Sequence, residues 1–216
     1  MSKIVYIVGA GDMEGTDLNI HEGAFVIAAD AGLIPLERAG IKPDLIVGDF
    51  DSLGKAPSIG NVVFHSPEKD DTDMLLAARE ALARNAQTII IYGGMGGRPD
   101  HEFANLQTLA FIANHGARGF LVGRESICTV IKNERLTFNS DMKGIISVFC
   151  VGDKAEGVDL TALKYPLTNH TLTCDYPLGV SNEFIGVPSV VSVKKGMLLV
   201  MWSASNFDFQ QFDNLV

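Results

Sequence analysis

Asp49 and Asp51 stand two positions apart in Gly48-Asp49-Phe50-Asp51-Ser52, directly after the apolar run Leu45-Ile46-Val47. In extended backbone, residues i and i+2 point to the same side, so the two carboxylates project together. The run before them reads as a buried parallel strand. Open α/β sheets bind ligands outside the carboxyl ends of such strands. Two acids held together need a cation or a shared proton. A hard divalent ion carrying phosphate suits them, because magnesium prefers carboxylate and phosphate oxygens. The competing reading is an acidic turn in which Ser52 or Asp51 caps local backbone.

Three more acidic sites each follow a strand-like run. Asp30 comes after Phe25–Ala29 and before a short helix over about 33–39; helix N-cap is its other reading. Asp70, Asp71, Thr72 and Asp73 precede a helical pattern from Met74 to Arg84, with Leu75, Leu76, Ala78, Leu82 and Ala83 as its inner face. The helix dipole favours acids there, but three acids and a threonine in four positions exceed what capping requires. Asp100 and His101 follow Thr88–Tyr92 and the loop Gly93-Gly94-Met95-Gly96-Gly97-Arg98-Pro99. Four glycines in five positions let main-chain N–H groups wrap a ligand, and Arg98 adds a planar fork suited to phosphate. Asp100 is open to three readings: N-cap, orienter of His101, or metal-site acid. In the next helix, about 101–115, His101, Asn105 and Thr108 share one face. Phe103, Leu106, Ala110, Ile112 and Ala113 form its apolar side.

Strand–helix alternation continues from Ile4–Val8 through Asn61–His65 to Gly119–Val122. It defines an α/β domain with a mostly parallel sheet over residues 1–123. Gly9-Ala10-Gly11 does not complete a dinucleotide fingerprint, because Gly15 falls one position late. It reads instead as a tight turn near phosphate. From residue 124 to 216 the pattern changes to short strands. Hairpins are expected around Asn133-Glu134 and Lys195-Gly196, with further strands at Lys143–Val151 and Thr171–Cys174. This half reads as a small antiparallel β domain. Gly179–Phe184 reads as a polar loop between strands, where turn chemistry is the simplest account.

Composition narrows the function. The chain has 216 residues, 47% hydrophobic content and a formal charge of −9. An acidic protein of this kind is a poor match for nucleic acid or an anionic membrane. Phosphate ligands remain open to it, since a divalent ion supplies positive charge. Cys128, Cys150 and Cys174 are too widely spaced for a zinc pattern and read as buried free thiols. Ile4–Ala10 is far too short to cross a membrane and leads into no cleavage site. A cytoplasmic protein is the expectation.

Taken together and in order, these motifs resemble the thiamin pyrophosphokinase family, over almost the whole chain. Asp30-Ala31-Gly32 is similar to the family's Asp-Gly-Gly, and Gly48–Ser52 matches its Gly-Asp-Phe-Asp-Ser. Asp70, Thr72 and Asp73 carry its Asp-x-Thr-Asp, and Gly93–Asn105 resembles its Gly-Gly-Arg-x-Asp-His…Asn block. Leu163–Leu167 and Gly179–Phe184 resemble the Leu-Lys-Tyr/Trp-Pro-Leu and Ser-Asn segments of its β domain. Three positions depart from the pattern. Asp71 stands where bacterial members often have lysine, Ala31 replaces a glycine, and Pro99 replaces a common phenylalanine.

The resemblance implies an N-terminal α/β domain, a C-terminal β-sandwich and a homodimer. It implies transfer of pyrophosphate from ATP to the thiamin hydroxyl, giving thiamin diphosphate and AMP. Thiamin would lie at the dimer interface, against the β domain of the other subunit. By the same resemblance, Asp49, Asp51 and Asp73 hold Mg²⁺, and Asp73 or Asp100 serves as base. Asp30, Asp70, Thr72, Arg98, His101 and Asn105 bind ATP; Tyr165, Ser181 and Asn182 bind thiamin. Two rivals share parts of this chemistry. One is a phosphohydrolase, or a pyrophosphokinase acting on another hydroxymethyl heterocycle such as a pterin. The other is a non-catalytic thiamin or nucleotide sensor.

Overall fold

A computed structural model describes residues 3–13, 16–48, 61–64 and 71–203. The chain divides into two compact units, Met1–Arg124 and Glu125–Val216. In the first unit the strands are β1 (Ile4–Val8), β2 (Phe25–Ala29), β3 (Leu45–Gly48), β4 (Asn61–Phe64), β5 (Thr88–Tyr92) and β6 (Arg118–Val122). They lie in the order β4-β3-β2-β1-β5-β6, and each neighbouring pair runs parallel. The sheet grows outward from β1 through β2, β3 and β4, then resumes on the other side of β1 with β5. The winding therefore reverses between β1 and β5, which is where such sheets open a ligand crevice.

Hydrophobic runs explain these strands. All of β5 is buried, as are Val5–Val8 of β1 and Val26–Ala29 of β2, as expected of strands covered on both faces. Among the described residues the α-helices are α1 (Leu33–Arg38), α2 (Asp73–Ala83) and α3 (Pro99–Asn114). α2 packs on β1, β2 and β3 and against α3. Its buried residues are Met74, Leu76, Ala77, Ala78 and Ala81. The buried stripe differs from the expected face: Leu75 and Leu82 are half-buried and Ala83 is exposed. α3 shows a larger departure. Phe103, expected inside, is 63% exposed, and the buried stripe is Asn105, Thr108, Leu109 and Ile112. Polar residues can face inward there because they are satisfied locally. The Thr108 hydroxyl donates to Ala104 O at 3.0 Å, and the Asn105 amide donates to Gly94 O at 2.8 Å.

The second unit contains β7 (Ser126–Lys132), β8 (Arg135–Phe138), β9 (Ile145–Thr161), β10 (Leu167–Thr173), β11 (Gly179–Glu183), β12 (Ser189–Ser192) and β13 (Lys195–Ser203). Its pairings are antiparallel. The two expected hairpins do not form. β7 pairs with β13, from Ser126↔Ser203 to Lys132↔Met197, and β8 pairs with β12, from Arg135↔Ser192 to Phe138↔Ser189. Asn133-Glu134 is a bend and Lys195-Gly196 opens β13, and the two lie side by side: Asn133 N donates to Gly196 O at 3.1 Å and Val193 N to Glu134 O at 2.9 Å. Turn-forming residues here bend two long partners rather than fold one back on itself.

β9 is also longer than expected, running on through Gly152 and Gly157, both with positive φ. Glycines inside strands mark bulges, and the register with β13 shifts between Lys195 and Met197. Gly179–Glu183, expected to be a loop, is strand β11 on β9. The core of this unit includes Phe138, whose ring meets Phe184 and Trp202 edge-on at 5.1 and 5.4 Å. Of the three free cysteines only Cys128 is buried, and burial pushes its thiol up to about 12; Cys174 is exposed. Among the described residues, no helix is long and apolar enough to cross a membrane.

Candidate functional site

The reversal between β1 and β5 opens onto a cavity of about 390 Å³. Its floor is made by two loops in backbone contact: Gly11 N donates to Gly93 O at 2.8 Å and Asp12 N to Gly96 O at 3.1 Å. A Cβ on Gly11 would stand 2.6 Å from Gly93 O, so only glycine permits this approach. Gly9-Ala10-Gly11 therefore closes the floor of the site, a role independent of any dinucleotide fingerprint.

Acids line one side. Asp30, at the end of β2, takes left-handed backbone with φ 49° and opens a 3-10 turn, Asp30–Gly32. α1 takes Gly32 as its N-cap, so Asp30 does not cap that helix. Left-handed non-glycine backbone is uncommon and concentrates at functional positions. Gly48, the last residue of β3, lies against Asp30: a Cβ there would be 3.2 Å from Asp30 Cα. Asp49 follows it in sequence. Asp49, Asp51 and Asp70 themselves lie outside the described residues.

Asp71, Thr72 and Asp73 reach the cavity from the start of α2. Thr72 is that helix's N-cap, its hydroxyl accepting from Leu75 N at 3.2 Å. Asp71 pairs with Arg79 at 2.8 Å, and the Arg79 guanidinium also stacks on the Phe111 ring at 4.8 Å. The departure at position 71 is thus met by a cation eight residues further on, in the second turn of α2.

Arg98, His101 and Asn105 complete the wall. Arg98 binds Asp100 with both prongs, Nε to Oδ1 at 3.2 Å and an Nη to Oδ2 at 2.6 Å. Arg98 beside it holds the Asp100 carboxyl below the usual carboxylate range. Of the three open readings, N-cap is excluded, since Arg98 holds that position and Pro99 begins the helix. Asn105 is buried and works from beneath, its amide tying down Gly94. Glu102 was not singled out in the sequence. It lines the same cavity and accepts from Gly96 N at 2.7 Å and Gly97 N at 3.0 Å. Only its distance from the glycines along the helix could have signalled this.

Among the described residues, no group of three or more His, Cys, Asp or Glu is placed to hold a metal ion. The acids that do face the cavity offer only carboxylate oxygens, the donor chemistry that hard divalent cations take. Two of the three acids expected to hold the metal are Asp49 and Asp51, which are not described.

In the second unit, Tyr165, Ser181 and Asn182 come together on one hollow of about 320 Å³, with Leu167, Leu178 and Val180. Ser181 takes φ 55°, and its N–H donates to Ser147 Oγ at 3.0 Å. Asn182 is buried, 3% exposed. Its Oδ1 accepts from Tyr165 N and Glu183 N, both at 2.9 Å, and its Nδ2 donates to Tyr165 O at 2.7 Å. Three of its four hydrogen-bonding sites are used inside the protein. Asn182 therefore shapes the hollow that it lines together with Ser181 and Tyr165.

A parallel sheet with an acidic, glycine-floored cavity at its winding reversal places the first unit among α/β proteins that bind ligands at strand ends. Residues 17–121 match the family model "Thiamin pyrophosphokinase, catalytic domain", and residues 132–198 match "Thiamin pyrophosphokinase, vitamin B1 binding domain". The thiamine pyrophosphokinase of Bacillus subtilis is 31% identical over 187 residues, covering 82% of this chain and 86% of that protein. A crystal structure of thiamine pyrophosphokinase from Bacillus subtilis superposes with a TM-score of 0.84 at 29% identity, covering 94% of this chain and 100% of that one. The Geobacillus thermodenitrificans structure gives 0.80 at 30% identity, covering 94% and 98%. The chain belongs to the thiamin pyrophosphokinase family.

Proposed function

We propose that this protein transfers the pyrophosphoryl group of ATP to the hydroxyl of thiamin, releasing AMP and forming thiamin diphosphate. The observation that carries this reading is the strand-end cavity, in which family-motif residues Asp30, Thr72, Asp73, Arg98, His101 and Asn105 all meet. The mostly parallel α/β unit is the catalytic part, over residues 1–123. The remainder, 124–216, is a β-sandwich that binds thiamin.

Asp49, Asp51 and Asp73 would hold Mg²⁺, which when bound neutralises triphosphate charge and makes the β-phosphorus a better electrophile. Arg98 binds phosphate oxygens with its planar fork, releasing Asp100 to do so. Asp30 and Asp70 complete the acidic shell, and His101 borders the triphosphate. The chain's own contribution is positioning and charge stabilisation, which dominate phosphoryl transfer. The hydroxyl proton goes to Asp73 or, once Arg98 has turned to phosphate, to Asp100.

Ser181 hydrogen-bonds the aminopyrimidine and Tyr165 supplies an aromatic wall. Tyr165, Tyr176, Leu178, Val180, Ile185 and Val187 are large apolar side chains exposed in the single chain. A homodimer that covers part of this surface is the expected assembly, in the cytoplasm, with no nucleic-acid or membrane partner.

The test is an assay of purified protein with ATP, Mg²⁺ and thiamin, following both products. AMP and thiamin diphosphate in equal amounts support the reading. ADP with thiamin monophosphate places attack at the γ-phosphorus and overturns it. Turnover with a hydroxymethylpterin but not thiamin would reassign the acceptor. Thiamin binding without turnover would make the protein a sensor.

A further inference from the structure

Glycine-rich loops bind phosphate through their main-chain N–H groups, yet here two of those groups already hold an anion. Glu102 Oε1 accepts from Gly96 N at 2.7 Å and from Gly97 N at 3.0 Å. The same loop is tied at Gly94 O by Asn105 and at Gly96 O by Asp12 N, at 2.8 and 3.1 Å. Glu102 N in turn donates to Arg98 O at 3.0 Å. The carboxylate thus joins the loop to the first turns of α3, on the stretch that carries Arg98, and borders the cavity itself.

We infer that Glu102 is a positioning residue for the nucleotide: its two hydrogen bonds hold the glycine loop in the shape that receives the triphosphate. This rests on the ATP-dependent reading above. Two consequences separate geometry from charge. A glutamine retains an oxygen acceptor for both N–H groups and removes a negative charge from the cavity. An alanine removes both. A hydrogen bond to a charged acceptor is one of the stronger kinds, so losing the tie loosens the loop, whereas removing charge alone favours an anionic ligand.

The experiment compares wild type, E102Q and E102A. It measures KM for ATP and for thiamin, kcat, and binding of a non-hydrolysable ATP analogue without thiamin. The expected pattern is an ATP KM and analogue Kd about tenfold higher in E102A than in E102Q, the factor that losing two neutral hydrogen bonds implies. E102Q falls at or below wild type, and the thiamin KM moves little in either. Amide exchange at Gly96 and Gly97 quickens in E102A alone. If E102A does not fold, E102D, whose shorter side chain withdraws the acceptor, takes its place. Equal ATP parameters in E102Q and the shortened variant overturn the inference, as does a matching rise in the thiamin KM. Analogue binding that is the same in all variants overturns it while leaving the function standing. No analogue binding by the wild type overturns both.

Discussion

Asn182 grips the peptide of Tyr165 at both ends, accepting from its N–H at 2.9 Å and donating to its carbonyl at 2.7 Å. The buried amide thereby sets where the 58%-exposed Tyr165 ring stands over the second unit's hollow. Asn182→Ala should lower stability by about 2 kcal/mol, because it strands buried donors and an acceptor. It should also raise the KM for thiamin with little change in the KM for ATP. Denaturant unfolding and steady-state kinetics check both. A stable variant with wild-type thiamin KM would falsify the clamp.

Asp73→Ala and Asp49→Ala should each lower turnover by at least about a thousandfold, the scale of a lost electrostatic group in phosphoryl transfer. Circular dichroism should stay unchanged. Chelation by EDTA should abolish activity and added Mg²⁺ restore it. Near-wild-type turnover in either variant would remove that acid from the metal set.

The Arg98–Asp100 pair gives a signed pH expectation. The folded pKa of Asp100 is lowered from 3.8, first by the Arg98 hydrogen bond and then by the Arg98 charge and the His101 N–H. A lowered acid contributes its full stability above the ordinary value, and loses it only as pH falls through the folded one. Asp100 therefore stays ionised throughout the neutral range. In Arg98→Ala its carboxyl titration, followed by NMR, should move up towards 3.8. An unmoved titration would mean that Arg98 is not the cause.

Thr72→Ala should cost about 1 kcal/mol through loss of the α2 N-cap, and Thr72→Ser should recover most of it. Thermal unfolding reads this directly. Any ATP defect common to both variants would then reflect a role for the threonine methyl group beyond capping.

Gly32→Ala should fail to accumulate as folded protein. A Cβ there would stand 1.8 Å from Val8 O and 3.0 Å from Gly9 Cα, both backbone atoms that cannot move aside cheaply. Overpacking of this kind costs about 3 kcal/mol or more. Soluble expression and melting temperature are the measurements; a normally stable variant would show that the 3-10 turn can shift.

The amino-acid sequence by itself determined the elements and the chemistry. Unbroken apolar runs made β1, β2, β3 and β5 legible, because burial on both faces leaves a local pattern. The order of Asp30, Asp73 and Arg98 marked the cavity, because each follows or opens an element whose end can be read from its neighbours. Tertiary structure alone decided partnership. Lys195-Gly196 looked like a hairpin turn, yet β12 and β13 pair with strands far away in sequence. Asn182 reads as a ligand contact, and the fold adds three hydrogen bonds to Tyr165 and Glu183. Asp71 stands where lysine is common, and only the fold sets Arg79 beside it; Glu102 carried no signal beyond its distance from the glycines. A residue's type states what it can bond; only the folded chain, where distant backbone groups compete for the same donor or acceptor, selects which bond it makes.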